Sequence, residues 1–320
     1  MPKVSVVIPV YNVEKYIERC ARSLFEQTLD DIEYIFVNDC TPDKSIEILC
    51  QILEEYSNRK RQVKIINHSV NTGQSGARRD GMKATTGDYI IHCDADDWVE
   101  LDMYEKLYYK AIVTGADAVC CDIVMEFKAS QTYLKYNSDF PDHQLMYDCI
   151  APISVEYCSM CNRLISRKIF DRYVVEPFEG VNMWDDVGLS LRLRFYCKST
   201  VVINNPFYHY NCQNELSTTN RSICGRVQEQ IECAKKLESF YLNERDERYK
   251  SFISLIKLVA KDDLFDYSID EWRKVFPESH KRLYVLKCQV SLKRLVKYYL
   301  YAYCGVVAGY VFNKKSKFLL

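Results

Sequence analysis

Neither G-x-G-x-x-G nor G-x-x-x-x-G-K-[ST] occurs in the sequence, which excludes a dinucleotide fingerprint and a Walker loop. There is no internal repeat and no low-complexity linker, so neither a solenoid nor a string of tethered modules is expected. The first apolar run, VSVVIPVY, is too short for a secretory core and has no small-residue cleavage site behind it. A cytoplasmic protein with a retained N-terminus is expected. Net charge is also missing, at −1 overall, but it is unevenly spread. Residues 281–320 carry nine Lys or Arg and no Asp or Glu, so an anionic partner belongs at that end and no nucleic-acid partner is expected. The fifteen cysteines are odd in number and scattered through apolar segments. Cys158-x-x-Cys161 lacks a second pair at zinc-finger spacing, leaving only Cys149, Cys197, His209 and Cys212 as conceivable supplements. Most are expected to be small buried hydrophobes in a reducing compartment.

What is present is an ordinary folded composition, 48% apolar and 27% charged, over 320 residues. The first 100 residues alternate short apolar runs with helical periodicity, the pattern of βαβ units around a parallel sheet. Residues 4–10 are nearly all apolar and β-branched, as in a strand buried on both faces. Ile17, Cys20, Ala21, Leu24 and Phe25 then share one helical face, and residues 32–37 read as a second strand. Thr41-Pro42 reads as an N-cap followed by proline at the first helical position, opening a helix with the stripe Ile46, Leu49, Ile52, Leu53 and Tyr56. Residues 63–66, 89–93 and 118–124 supply further strands. Polar residues gather just after the first four strands: Tyr11 and Asn12, Asn38 and Asp39, Asn67 and His68, then Asp94, Asp96 and Asp97. That is the carboxyl edge, where open α/β sheets bind ligands.

Asp94-Ala95-Asp96-Asp97 follows the apolar strand YIIHC. Two carboxylates one residue apart at a strand end can direct oxygens toward one divalent ion and leave positions open for a diphosphate. Alone the pattern is weak, since a solvated acidic turn has the same sequence.

In context the chain resembles the family 2 glycosyltransferases, over roughly residues 3–215. The resemblance rests on VSVVIPVYNVEKYIERCARSLFEQTL, FVNDCTPDKS, NTGQSGARRDGMKATTGDYIIHCDADDW, CNRLISRKIF, WDDVGLSLRL and NNPFYHY, in that order. It implies an α/β fold of the GT-A type, a Rossmann-like, mostly parallel sheet flanked by helices. From Gly225 onward the charged, helix-like sequence, with no further glycine until Gly305 and one internal proline, Pro277, reads as a helical C-terminal extension. Residues 1–115 would form the nucleotide-sugar half, 116–215 the acceptor and catalytic half, 216–290 a helical region and 291–320 a basic, aromatic tail.

The resemblance also implies residue roles. Pro9, Tyr11 and Asn12 would line the nucleotide-sugar site, and Asp39 would accept a hydrogen bond from the uracil N3–H. A plainer reading makes Asp39 a cap for the helix that follows it. Asn38 departs from the family's common paired acids. Asn71, Gly73, Gly76 and Arg78 fall between a strand and a helix, where glycine permits close backbone approach and the arginine would neutralise diphosphate charge; otherwise Arg78 is a surface residue of a helix start. Asp96, with Asp94, would hold Mg2+ or Mn2+, supported by Asp97. Asp186 would be the general base, preceded by Trp184 and by Asp185, where the family commonly has Glu. A helix N-terminus complemented by two acids explains the same pair without catalysis. His209 and Tyr210 either approach the substrates or pack in the core.

The implied reaction is inverting transfer from a UDP-sugar to a saccharide or lipid-linked saccharide. A sugar-nucleotide pyrophosphorylase would show a glycine-rich basic loop after the first strand, where this chain has Pro9-Val10-Tyr11-Asn12. A catalytically silent nucleotide-sugar-binding or scaffold protein would be marked by loss of Asp96 or Asp186, and both are present. Residues 298–312, uncharged and flanked by lysines and arginines, fall short of the roughly 20 residues of a spanning helix. They suggest either contact with the inner-membrane surface or a tail helix packed on the catalytic domain or across a dimer.

Overall fold

The computed structural model describes residues 2–136, 153–220, 222–244 and 249–280, with Val296 as an isolated position. The chain divides into two compact units, residues 1–143 with 154–221 and residues 144–153 with 222–320. The basic tail on which the membrane expectation rests, and Cys149, lie outside the described residues.

The first unit is built on a nine-stranded mixed sheet. Strands β1 (Val4–Val10), β2 (Ile32–Asn38), β3 (Val63–Asn67) and β4 (Tyr89–His92) are parallel, in the order β3-β2-β1-β4. Alternate residues of β1 face opposite layers: Val4, Val6, Ile8 and Val10 join the main core. Helix α1 (Ile17–Phe25) packs there through the five residues expected from its periodicity. Helix α2 (Ser45–Glu55) covers the same layer, while α3 (Gly73–Lys83) covers the opposite one against Ile35 and Val37. Pro9 is tolerated in a central strand because its missing N–H would point toward β4, which has already turned away after Cys93 donates to the Val7 carbonyl.

One expected boundary is corrected. Thr41-Pro42 does not open α2; the helix begins at Ser45, and Asp43 caps it, its Oδ1 accepting from the Ser45 amide at 3.1 Å. Thr41 instead donates from Oγ1 to Asp43 at 2.7 Å and accepts from the Asn12 amide at 2.8 Å. The threonine is spent tying the loop after β1 to the loop after β2.

Past β4 the sheet changes character. A short β5 (Trp98–Val99) leads to α4 (Met103–Thr114), β6 (Ala118–Glu126) and β7 (Gln131–Leu134). Then come α5 (Val155–Cys158), β8 (Arg163–Ser166), α6 (Arg167–Arg172), α7 (Asp185–Tyr196) and β9 (Thr200–Asn211). β8 inserts antiparallel between β4 and β6. β9 runs parallel to β6 and carries β5 antiparallel on its far side, while β7 pairs with β6. Opposite Cys121–Ile123 the register breaks, and β9 carries three more residues than β6 across the break.

The described part of the second unit is helical: α8 (Ile223–Asn243), α9 (Lys250–Ala260), α10 (Asp262–Tyr267) and α11 (Ile269–Lys274). Its buried Lys261 donates to the Val275 and Phe276 carbonyls at 2.6 and 3.1 Å and to His280 Nδ1 at 2.7 Å. No described helix is long and apolar enough to cross a membrane.

Candidate active site

The carboxyl ends of β1, β2 and β4 bring the expected polar residues to one edge of the first unit. Tyr11 is 47% exposed, and Asn12 turns the chain with φ +57°. Asn38 donates to Asn67 Oδ1 at 2.8 Å and accepts from the Thr41 amide at 2.9 Å. A carboxylate here could accept but not donate, so the departure from paired acids preserves this stitch between β2 and β3.

Asp39 is buried and caps a helix, but α3 rather than α2. Its Oδ1 accepts from the Thr72 amide at 2.7 Å, the Thr72 hydroxyl at 2.9 Å and His68 Nδ1 at 2.9 Å. Among the described residues Oδ2 takes only the Gly73 amide, at 2.8 Å, which leaves it a lone pair for one further donor. Gly73 has φ +78°, and a Cβ there would lie 2.2 Å from Asn182 Oδ1, so only glycine fits. Asn71 accepts from the same Gly73 amide at 3.1 Å. Asn182 in turn accepts from the Ser75 amide at 3.2 Å. The first amides of α3 are thus largely engaged by the protein's own side chains.

Arg78 is neither a surface residue nor a free cation waiting for a diphosphate. It is buried, and its guanidinium bridges Asp94 Oδ1 at 2.6 Å and Asp185 Oδ2 at 2.7 Å. Burial opposes its charge, but the two carboxylates more than offset this and hold its pKa well above the usual value. The arginine therefore joins the loop after β4 to the start of α7.

The acidic loop divides its labour. Asp97 is buried with both oxygens in use: Oδ2 accepts from the Tyr208 hydroxyl and Oδ1 from the Asn211 amide at 2.7 Å. Burial, then the charges of Asp96 and Asp94, push its pKa well up. Asp96 accepts from Asn214 Nδ2 at 2.8 Å through Oδ2, and Asp94 uses Oδ1 for Arg78 and for Gln74 at 3.4 Å. Asp94 Oδ2 and Asp96 Oδ1 accept no hydrogen bond from another of the described residues. Burial, and then the charge of Asp94, push Asp96 up to about 6. Two hard oxygens held close enough to resist each other's charge fit Mg2+ or Mn2+, ions that usually take one or two carboxylates and fill their shell with phosphate and water. No cluster of three or more His, Cys, Asp or Glu suited to a metal occurs among the described residues.

Asp185 and Asp186 open α7 after Trp184, whose φ of +70° is a strained, left-handed conformation. Asp185 is buried on Arg78; burial pushes its pKa up to about 7 against the pull of the arginine. Asp186 is half-buried, and Oδ1 accepts from the Val187 amide at 2.7 Å. Its Oδ2 accepts no hydrogen bond from another of the described residues, and burial raises its pKa.

His209 does not reach this cleft. It stacks on Trp98 with ring centroids 5.1 Å apart, and its two nitrogens lie 2.8 Å from Glu100 and from Glu126. Its strand neighbours face the other way. The Tyr208 hydroxyl also accepts from the Asp94 amide at 3.2 Å. Tyr210 is half-buried, its phenol pushed up by burial and then by Asp97, Asp94, Asp96 and Asp186. Tyr208, Asn214, Asn182 and Gln74 are site residues that sequence reasoning missed. The available signal was the Y-H-Y alternation followed by Asn211 and Asn214.

A GT-A-type α/β sheet with an acidic cleft at its carboxyl edge defines the class. Residues 5–174 match the family model described as glycosyl transferase family 2, and the chain belongs to that family. It is similar to EpsJ of Bacillus subtilis, an uncharacterized glycosyltransferase, at 42% identity over 42% of this chain and 38% of EpsJ. The chain spans between 30% and 60% of the lengths of EpsJ and the next two curated relatives. Its fold is similar to that of S. aureus TarS 1-349 in complex with UDP-GlcNAc, with TM-score 0.64 and 16% identity over 94% of this chain and 79% of the other. It is also similar to the mannosyltransferase PcManGT from Pyrobaculum calidifontis in complex with GDP-Man and Mn2+, with TM-score 0.55 and 14% identity over 99% and 80%.

Proposed function

We propose that the chain is an inverting glycosyltransferase that moves a sugar from a UDP-sugar to a saccharide or lipid-linked saccharide acceptor. One observation carries this reading: Arg78 bridges Asp94 and Asp185, so the acid pair of the β4 loop and the acid pair of α7 meet in one cleft. Asp94, Asp96 and Asp186 each have there an oxygen that accepts no hydrogen bond from another of the described residues.

The roles follow from the charges that change. Asp39 Oδ2 takes the base N–H. Asp96, with Asp94, holds Mg2+ or Mn2+, which supplies positive charge to the departing diphosphate when bound. Asp186 Oδ2 removes the proton of the acceptor hydroxyl as that oxygen attacks the anomeric carbon from the face opposite the nucleotide, so the configuration inverts. Its raised pKa suits it to hold that proton better than an ordinary carboxylate.

The test is Asp186→Asn, assayed over UDP-, GDP- and dTDP-sugars with Mn2+. Nucleotide binding stays near normal, and transfer falls by about 10²-fold or more, the usual scale of general-base catalysis. Transfer at the parental rate would move the base elsewhere.

A further inference from the structure

We propose that Asn214 is the positioning residue that sets Asp96 for metal binding, acting from the turn after β9; the inference rests on the metal role proposed above. The amide is 94% removed from solvent, and its orientation is fixed at both ends. Asn214 Oδ1 accepts from the Leu216 amide at 3.0 Å, which turns Nδ2 toward Asp96 Oδ2 at 2.8 Å.

The same turn grips the next carboxylate through the Asn211 amide, on Asp97 Oδ1 at 2.7 Å. Asn211 Oδ1 closes the turn by accepting from the Gln213 amide at 3.1 Å. The two neighbouring acids are handled differently. Asp97 has a donor on each oxygen, from Tyr208 and Asn211, and anchors the loop. Among the described residues, Asp96 receives one donor from another residue, Asn214, on Oδ2.

The chemistry of the donor matters. A carboxylate that ligates a hard cation through one oxygen swings about its side-chain torsions unless the second oxygen is held. A lysine or arginine at 214 would hold it too, but would place a positive charge beside the divalent ion. A primary amide supplies the hydrogen bond with no net charge. Arg78 lies on the far side of the pair, on Asp94. Within this pair of acids, the protein thus places a buried cation, Arg78, on Asp94 and a neutral donor on Asp96.

The experiment uses the full chain and measures UDP affinity by calorimetry with and without Mn2+, and Mn2+ binding in the presence of UDP by electron paramagnetic resonance. Asn214→Leu, of similar volume but without a donor, lowers Mn2+ affinity about tenfold or more, the scale seen when a group supporting a metal ligand is lost. Metal-free UDP affinity is unchanged, whereas a general loss of structure would lower both. Asn214→Ala replaces it where the leucine variant fails to fold. A folded variant that binds Mn2+ as the parent does overturns the role of Asn214 and leaves the reading of Asp96 intact. A parent protein that binds UDP but shows no Mn2+ dependence overturns the metal role itself, and this inference with it.

Discussion

Arg78 carries more of the site than its place in the sequence suggests. Its guanidinium is the buried counter-charge to Asp94, 16 residues away, and to Asp185, 107 residues away. Arg78→Met would leave both acids with an uncompensated buried environment, at a cost of about 3–5 kcal/mol, the usual penalty for breaking a buried pair from one side. Denaturant unfolding at pH 8 checks this. The penalty shrinks at pH 5, because Asp185, raised to about 7, then holds a proton and no longer needs the cation. A penalty that stays constant between those two pH values would show that Asp185 is not the partner that matters. The motif around Arg78 was legible in the sequence, but its partners were not. Periodicity reports which face of α3 a residue occupies, and says nothing of which distant carboxylates arrive there. The same limit applied to Asp39: its helix-capping chemistry could be read from residue type, but the helix it caps is one helix further along the chain.

Among the elements, the four parallel strands and the first helices were readable because each has a clean period. Strand β9 was not. It contains Asn204, Asn205 and Pro206, and its pairing with β6 breaks at that point. Three extra residues are an odd number, so the side-chain alternation reverses across the break. Val201 and Ile203 pack on the main core before it, and Tyr208 and Tyr210 do so after it. Counting alternation from Val201 would therefore have placed His209 on the core side and the tyrosines away from it. Removing Asn205, which is exposed, makes the excess even and turns Tyr208 away from Asp97. That deletion is expected to weaken UDP–Mn2+ binding by about tenfold or more, the scale of losing a buried hydrogen bond to a charged group. Asn205→Gly, which keeps the length, leaves binding unchanged. Equal affinity in the two variants would mean that the strand slips to compensate.

At the scale of the whole molecule, the family's motifs in order gave the GT-A fold, and the charged, glycine-poor stretch after Gly225 gave the helical character of the C-terminal region. They did not give the insertion of β8 between β4 and β6, since nothing local to RLIS specifies an antiparallel neighbour. The cleft itself has one further meaning. Asp94, Asp96, Asp97, Asp185 and Asp186 face a single buried arginine, and burial with mutual repulsion raises four of the five. On the function proposed above, these acids repel one another in the ligand-free protein, and a cation with the right diphosphate relieves that repulsion. Melting temperature then becomes a search tool that needs no acceptor. At a hundredfold excess over its dissociation constant a ligand adds about 2.7 kcal/mol. For a unit of this size that corresponds to a rise on the order of 5–10 °C. Scanning nucleotide sugars with Mn2+ should single out the donor by that rise, and chelation should erase it. A scan in which every nucleotide sugar leaves the melting point where it was would mean that the acidic cleft is not the donor's seat.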